Sequence, residues 1–286
     1  MKRTLILAAL LSVTASLAQA ADASKSGIVG IAHIGYYVSD MAKMRFYYEG
    51  FLGYREAFAV KGAGGSDHVA YVKINDKQYF VFYPEPAVNH GFIHDVAFQS
   101  SDVKATRAFL IAAGLKPTEI APDYAGDLAF SVIDKAGFTI EVVQYVPKSQ
   151  TGLTKGKFMP ASRISDHIDH VGLLTNDKQA AWDFYSKAFG FVKEGDGSKM
   201  TVPDSPDRFE IGFERKEGTI DRFHVKDHIC LSSPDVPKVT AALSAKPEAK
   251  NFKEIENHSL GSGKNVAELY DLDGNRVEMM EPGKQM

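Results

Sequence analysis

The sequence predicts an α+β protein made of four units, each a strand, a helix and three further strands, paired into two tandem domains over residues 27–146 and 164–283. Three observations support this. The text after Ile28 and the text after Ile168 run in the same order, and "FYYEGFLGY" (46–54) parallels "FYSKAFGF" (184–191). A second pair of openings, at Phe92 and Val225, leads into Ser101-Asp102-Val103 and Pro234-Asp235-Val236. Finally, His33, His94 and Glu141 return as His170, His228 and Glu278, at offsets of 137, 134 and 137 residues. Repetition on this scale means duplicated structural units.

Along the chain, Lys2 and Arg3 precede an apolar run from Leu5 to Leu11, and Ala18-Gln19-Ala20 is a small-x-small site, so residues 1–20 read as a signal peptide cleaved after Ala20. The expected location is the periplasm or the exterior. The remaining chain carries 31 Lys+Arg against 36 Asp+Glu, a net charge of −5, which excludes a basic nucleic-acid surface. Cys230 is the single cysteine, so packing and perhaps metal, not an intrachain disulfide, must hold an exported chain together. Beyond the signal no run of about 18 apolar residues suggests a membrane span.

Ile28 to Asp40 alternates as a strand, Asp40 is placed to cap a helix, and Met41 to Leu52 carries apolar residues at helical spacing until Gly53 ends it. From Phe92 a short strand meets Asp102, which opens an amphipathic helix. Strands are expected near 118–121, 128–133 and 138–146, with a turn at Asp134 to Gly137 between the last two. Residues 147–163 hold Gly, Ser, Thr and Pro with four basic residues and no acids, and read as a solvated linker, the alternative being a docking strap. The second half repeats the order: a strand through Leu174, an Asn176-Asp177 cap, a helix closed by Gly190, the Asp235-capped helix, then strands near 252–256, 266–270 and 276–280 with a turn at Asp271 to Gly274.

The six recurring residues have the composition of a metal site. Each histidine lies in a strand that opens a unit, and each glutamate in a strand that closes a pair. Ile140 and Val142 point opposite to Glu141, and Val277 and Met279 opposite to Glu278. A carboxylate amid apolar residues is costly to bury unless paired or ligating a cation. Imidazole with carboxylate suits Zn, Fe, Mn, Ni or Co, and three protein donors leave positions open for water or substrate. His258 is a candidate acid-base group at the mouth of the second site, although a surface histidine has the same appearance. His68 reads as a loop residue. His167 and His224 each precede an assigned ligand and would replace it under a shifted register. Cys230 reads as a small buried apolar group beside His228.

These residues, carried by "AHIGYYVSDMAKMRFYYEGFLGY", "DHVGLLTNDKQAAWDFYSKAFGF", "HDVAFQSSDV", "DHICLSSPDV", "DKAGFTIEVVQY" and "DLDGNRVEMMEP", resemble the vicinal oxygen chelate superfamily over nearly all of the chain beyond the signal. That superfamily includes glyoxalase I, extradiol ring-cleaving dioxygenases and antibiotic-resistance proteins. The resemblance implies βαβββ modules curling into cups, with metal on His33, His94 and Glu141 and on His170, His228 and Glu278. It also implies a small-molecule substrate that chelates the metal through adjacent oxygens. Four modules look most like the extradiol dioxygenases, in which usually only the C-terminal domain keeps metal. Two departures stand out: both triads are present, and the ring-cleaving enzymes' tyrosine ten residues before the closing glutamate is Glu268 here, with Tyr270 nearby as a candidate catalytic residue. His258 falls about where those enzymes carry an acid-base histidine. Glyoxalase I normally adds a fourth ligand, a carboxylate or glutamine from the first module, and uses cytosolic glutathione adducts, which export disfavours. The expectation is therefore an exported divalent-metal enzyme, dioxygenase-like with Fe2+. The alternatives are a lyase or isomerase with Zn2+, Mn2+ or Ni2+, and a non-catalytic small-molecule binder with a cup lined by residues such as Tyr37, Phe98 and Tyr270. Nothing in the sequence fixes the oligomeric state.

Overall fold

A computed structural model describes residues 26–85, 93–195, 199–212, 227–260 and 263–282. The expected signal peptide and His224 lie outside the described residues. Among the described residues each half of the chain forms an eight-stranded sheet. The first contains β1 (Ile28–Val38), β2 (Arg55–Lys61), β3 (Asp67–Lys73), β4 (Tyr79–Pro84), β5 (Ile93–Ser100), β6 (Ala121–Pro122), β7 (Leu128–Ile133) and β8 (Thr139–Gln144), in the order β2-β3-β4-β1-β5-β8-β7-β6. The second repeats it with β9 (Ile168–Leu173), β10 (Val192–Glu194), β11 (Lys199–Thr201), β12 (Arg208–Ile211), β13 (His228–Ser232), β14 (Glu256–Ser259), β15 (Asn265–Tyr270) and β16 (Arg276–Met280), in the order β10-β11-β12-β9-β13-β16-β15-β14. In each sheet the opening strands of the two modules pair antiparallel at the centre, β1 with β5 and β9 with β13. Each opening strand also pairs parallel with the closing strand of its own module. The residues that open and close modules are thus brought onto adjacent central strands.

Helices cross over between these strands, each begun by an aspartate whose carboxylate accepts otherwise unpaired amides, an arrangement worth about 1 kcal/mol per cap. Asp40 caps α1 (Met41–Arg45), which runs on into a π-helical turn at Phe46–Phe51, and Asp102 caps α2 (Val103–Ala112). After the short α3 (Gln150–Leu153), Asp177 caps α4 (Lys178–Phe189), which ends at Gly190 in the left-handed region (φ 74°), and Asp235 caps α5 (Val236–Ser244).

One apolar core is shared by both halves. Phe98 of β5 meets Phe189, Phe191 and Phe209 of the second half at ring-centroid distances of 5.4, 5.0 and 5.6 Å. Across this core the halves exchange matching bonds: the Tyr48 hydroxyl donates to Asp271 (3.3 Å) and the Tyr185 hydroxyl donates to Asp134 (2.8 Å). Both tyrosines and both aspartates are 137 residues apart, so the two bonds are related by a pseudo-two-fold.

Three sequence expectations change. The strand expected at 252–256 starts instead at Glu256, because Phe252 packs against Phe46, Tyr47 and Phe51 of the other half. The strand expected at 118–121 shrinks to the two residues of β6. Residues 147–163 are a strap on the first sheet, not a solvated linker. The fully buried Lys73 donates to the Thr154 carbonyl (2.7 Å) and pairs with Asp76 (2.6 Å), Gln150 N donates to the Ala125 carbonyl (2.8 Å), and Arg163 donates to the Ile74 carbonyl (3.1 Å). The polar residues that suggest a loop supply these bonds.

Candidate metal centres

In domain 2 the register sets His170 of β9 beside Cys230 of β13, and Cys230 beside Glu278 of β16. His228, two residues before Cys230, shares that face. The result is a compact cluster: His170 Nε2 lies 3.2 Å from His228 Nε2, and His228 Nε2 lies 3.7 Å from a Glu278 oxygen. These three donor atoms fall within 4.8 Å of one another. Two imidazole nitrogens facing each other beside a carboxylate fit a shared divalent cation, because neutral imidazole offers a lone pair and the carboxylate offers charge.

A β-bulge tunes this site. Pairing slips between Cys230 and Leu231, which leaves Asp169 as the extra residue of β9. A bulge re-aims side chains, and Asp169 lies 2.8 Å from His170 Nδ1, where it fixes the ring's orientation. Glu210, on β12 opposite Gly172, approaches His170 Nε2 to 3.3 Å. It is a fourth donor that the histidine and glutamate spacing alone did not expose; its only sequence signal is an acidic residue in the apolar alternation of "RFEIGF". Gly172 is required: a Cβ there would collide with the His228 ring.

Charged residues surround the cluster. Arg276 reaches both Glu278 and Glu268 at 2.7 Å, and Lys199 Nζ lies 3.2 Å from His170 Nδ1 and 3.8 Å from Glu210. Despite burial, hydrogen bonding and attraction to His170, aided by Lys199, hold both Asp169 and Glu210 down to about 2. Burial raises Glu278, with Arg276 opposing. Burial opposes protonation of His170, but Asp169 and Glu210 outweigh it and raise its pKa. The cluster opens on a cavity of about 660 Å³ lined by Lys199, Glu210, His228, His258, Arg276 and Glu278, among others.

Of the expected catalytic residues, His258 lines this cavity, half exposed and 3.8 Å from Glu268. The Tyr270 hydroxyl donates instead to Glu268 (2.8 Å), the direct cross-strand partner of Glu278. Cys230 is fully buried next to His170, and burial together with Glu278 pushes its thiol pKa up. His167 pairs with Asp207 at 3.2 Å, and His68 packs edge-on against Tyr124.

Domain 1 departs from the expected triad. His33 and Glu141 both face Ala97 of β5, so the side chain that joins them is Asp95, not His94. His33 Nε2 lies 3.5 Å from Asp95 and 4.0 Å from Glu141. His94 instead stacks on Tyr83, with centroids 3.7 Å apart, and turns its Nδ1 toward Asp95 at 3.3 Å. The physical reason is a one-residue register difference, which sends a strand side chain to the opposite face. "HDVAFQSSDV" aligned on "DHICLSSPDV" by the helix caps Asp102 and Asp235 puts Asp95, not His94, opposite His228, so the signal was in the sequence. Gly35 repeats the role of Gly172, since a Cβ there would meet the Asp95 carboxylate.

Comparison with known proteins follows from this geometry. The family model described as Glyoxalase/Bleomycin resistance protein/Dioxygenase superfamily matches residues 30–142 and 167–279. The fold is similar to the 2,3-dioxygenase LapB from Pseudomonas sp. KL28 (TM-score 0.65, 16% identity, covering 90% of this chain and 93% of that one). It is also similar to homoprotocatechuate 2,3-dioxygenase from Arthrobacter globiformis (0.63, 17%, 90% and 81%) and to the Mn(II)-bound glyoxalase from Novosphingobium aromaticivorans (0.63, 17%, 89% and 82%). A sequence comparison with curated proteins gives no match.

Proposed function

Because this chain belongs to the glyoxalase/bleomycin resistance protein/dioxygenase superfamily, we propose that domain 2 is a divalent-metal-dependent enzyme site acting on a small molecule through vicinal oxygens, by lyase or isomerase chemistry. The observation that carries this reading is Glu210. With His170, His228 and Glu278 it makes a four-donor set, and it comes from the first module of domain 2, where the resemblance to glyoxalase I expects a fourth ligand. The ion, when bound, supplies Lewis acidity that polarises adjacent substrate oxygens. Zn2+, Mn2+ and Ni2+ suit that set and that chemistry.

The chain's own residues prepare the site. Asp169 orients His170, Arg276 holds Glu278, and Lys199 stands between Asp169 and Glu210 at 3.9 and 3.8 Å. Fixed partners of this kind keep ligands in place and tune them. The cations lining the cavity favour a substrate that carries an anionic group. His258 stands between cavity and solvent, where an imidazole can relay a proton.

A second reading, ring cleavage with Fe2+, is favoured by one observation: His258 lines the same cavity as the metal cluster. The two are separated by loading the protein with Mn2+, Ni2+, Zn2+ or Fe2+ and assaying α-hydroxycarbonyl and ketoaldehyde-adduct isomerisation alongside oxygen uptake with catechols. Isomerase activity that falls at least about 10-fold in Glu210→Gln supports the first reading. Catechol-dependent oxygen uptake that survives Glu210→Gln overturns it. We also propose export, tested by the intact mass of periplasmic protein: a chain beginning at Ala21 supports it, and full-length protein confined to the cytosol refutes it.

A further inference from the structure

Domain 1 presents a buried charge problem that domain 2 solves with side chains. His33 and Asp95 are 3% and 2% exposed, and His33 Nε2, Asp95 Oδ1 and Glu141 Oε1 are buried without a hydrogen-bond partner. Around Glu141 the charged neighbours are His33 and three more carboxylates, Asp95, Asp123 and Asp127. Lys199, Arg208 and Arg276 offset the carboxylates of domain 2, whereas the same register positions in domain 1 are Tyr71, Tyr79 and Thr139. Carboxylates in a low-dielectric cup need a counter-charge, and unpaired donors aimed at one another mark where it sits.

We propose that domain 1 holds a second divalent cation on His33, Asp95 and Glu141, in a site whose one imidazole and two carboxylates differ from the imidazole-rich set of domain 2. The oxygen-rich set favours a harder ion such as Mn2+. Phe58, Tyr71, Tyr79 and Tyr83 pack in the apolar cluster on that face of the sheet, so the ion's role is to stabilise the fold. This inference does not depend on the reaction proposed for domain 2.

The test uses the full chain, treated with chelator and titrated with Mn2+, with free ion followed by electron paramagnetic resonance and bound ion by elemental analysis. The wild type binds two ions. A His170→Ala, Glu278→Ala variant binds one, and that ion raises its Tm. Adding Asp95→Asn or the near-isosteric Glu141→Gln removes the remaining ion and the Tm rise, while adding His94→Ala leaves both, with circular dichroism confirming that each variant is folded. Zero ions in the His170→Ala, Glu278→Ala protein overturns the proposal, as does a site lost with His94→Ala and kept with Asp95→Asn. A wild type that binds one ion, lost in Asp95→Asn alone, sustains this proposal and defeats the one for domain 2.

Discussion

Where domain 2 sets Lys199, Arg208, Glu210 and Arg276 around its histidines, domain 1 sets Tyr71, Tyr79, Val81 and Thr139 at the same places in the same sheet. His228 is answered by Asp95, Cys230 by Ala97, and the bulged Asp169 by Ala32. Only the opening histidine, the closing glutamate and the glycine under the second donor persist in both. The backbone preserves the positions of donors, and the surrounding side chains decide whether the cup is charged and open to a cavity or aromatic and packed.

The comparison can be broken most directly by deleting the opening histidine in turn. His170→Ala should abolish turnover of any substrate found for the chain, a loss of at least about 100-fold, since even partners outside the ligand set typically cost 10–100-fold. His33→Ala should leave kcat within about 3-fold, and equal losses in steady-state assays would show that the cups act together. A smaller effect is expected from the glycines. Gly172→Ala pushes on the His228 ring and should weaken metal binding in domain 2 by about 10-fold or more, whereas Gly35→Ala should disturb only the site at Asp95. Site-resolved metal titration of the two variants tests this.

The smallest effect concerns the matched tyrosine–aspartate bonds. Burial, reinforced by Asp273 and opposed by the Asn275 hydrogen bond, pushes Asp271 up from 3.8 to about 6. A carboxyl whose folded pKa is raised binds its proton more tightly when folded. Its contribution is complete below about pH 3.8 and declines as pH rises to about 6, by at most about 3 kcal/mol. Asp271→Asn should flatten that part of the stability profile, measured by denaturant unfolding from pH 4 to 6. An unchanged slope would show that Asp271 stays ionised in the folded protein.

Much of this was legible in the residues. Aspartate caps, the strand order and the Asp134 and Asp271 turns all follow from local chemistry, which the duplication doubles. The errors have physical causes. His94 was favoured over Asp95 because imidazole is the commoner ligand, although a strand exposes only alternate residues to one face. Glu210, Lys199 and Arg208 reach the site through pairings of β9 with β12 and of β11 with β12, which local periodicity does not reveal. Phe252 left its expected strand for aromatic partners some 200 residues away in sequence, at Phe46, Tyr47 and Phe51.

The reciprocal Tyr48–Asp271 and Tyr185–Asp134 bonds have the form of an isologous dimer contact, yet both partners belong to one chain. In a dimer of identical subunits every substitution appears twice, so a cup that turned aromatic would do so on both sides. Fusion lifts that constraint. The interface can stay symmetric because each half still needs the other's surface, while the cups are free to change one at a time, and specialisation of one need not wait for the other.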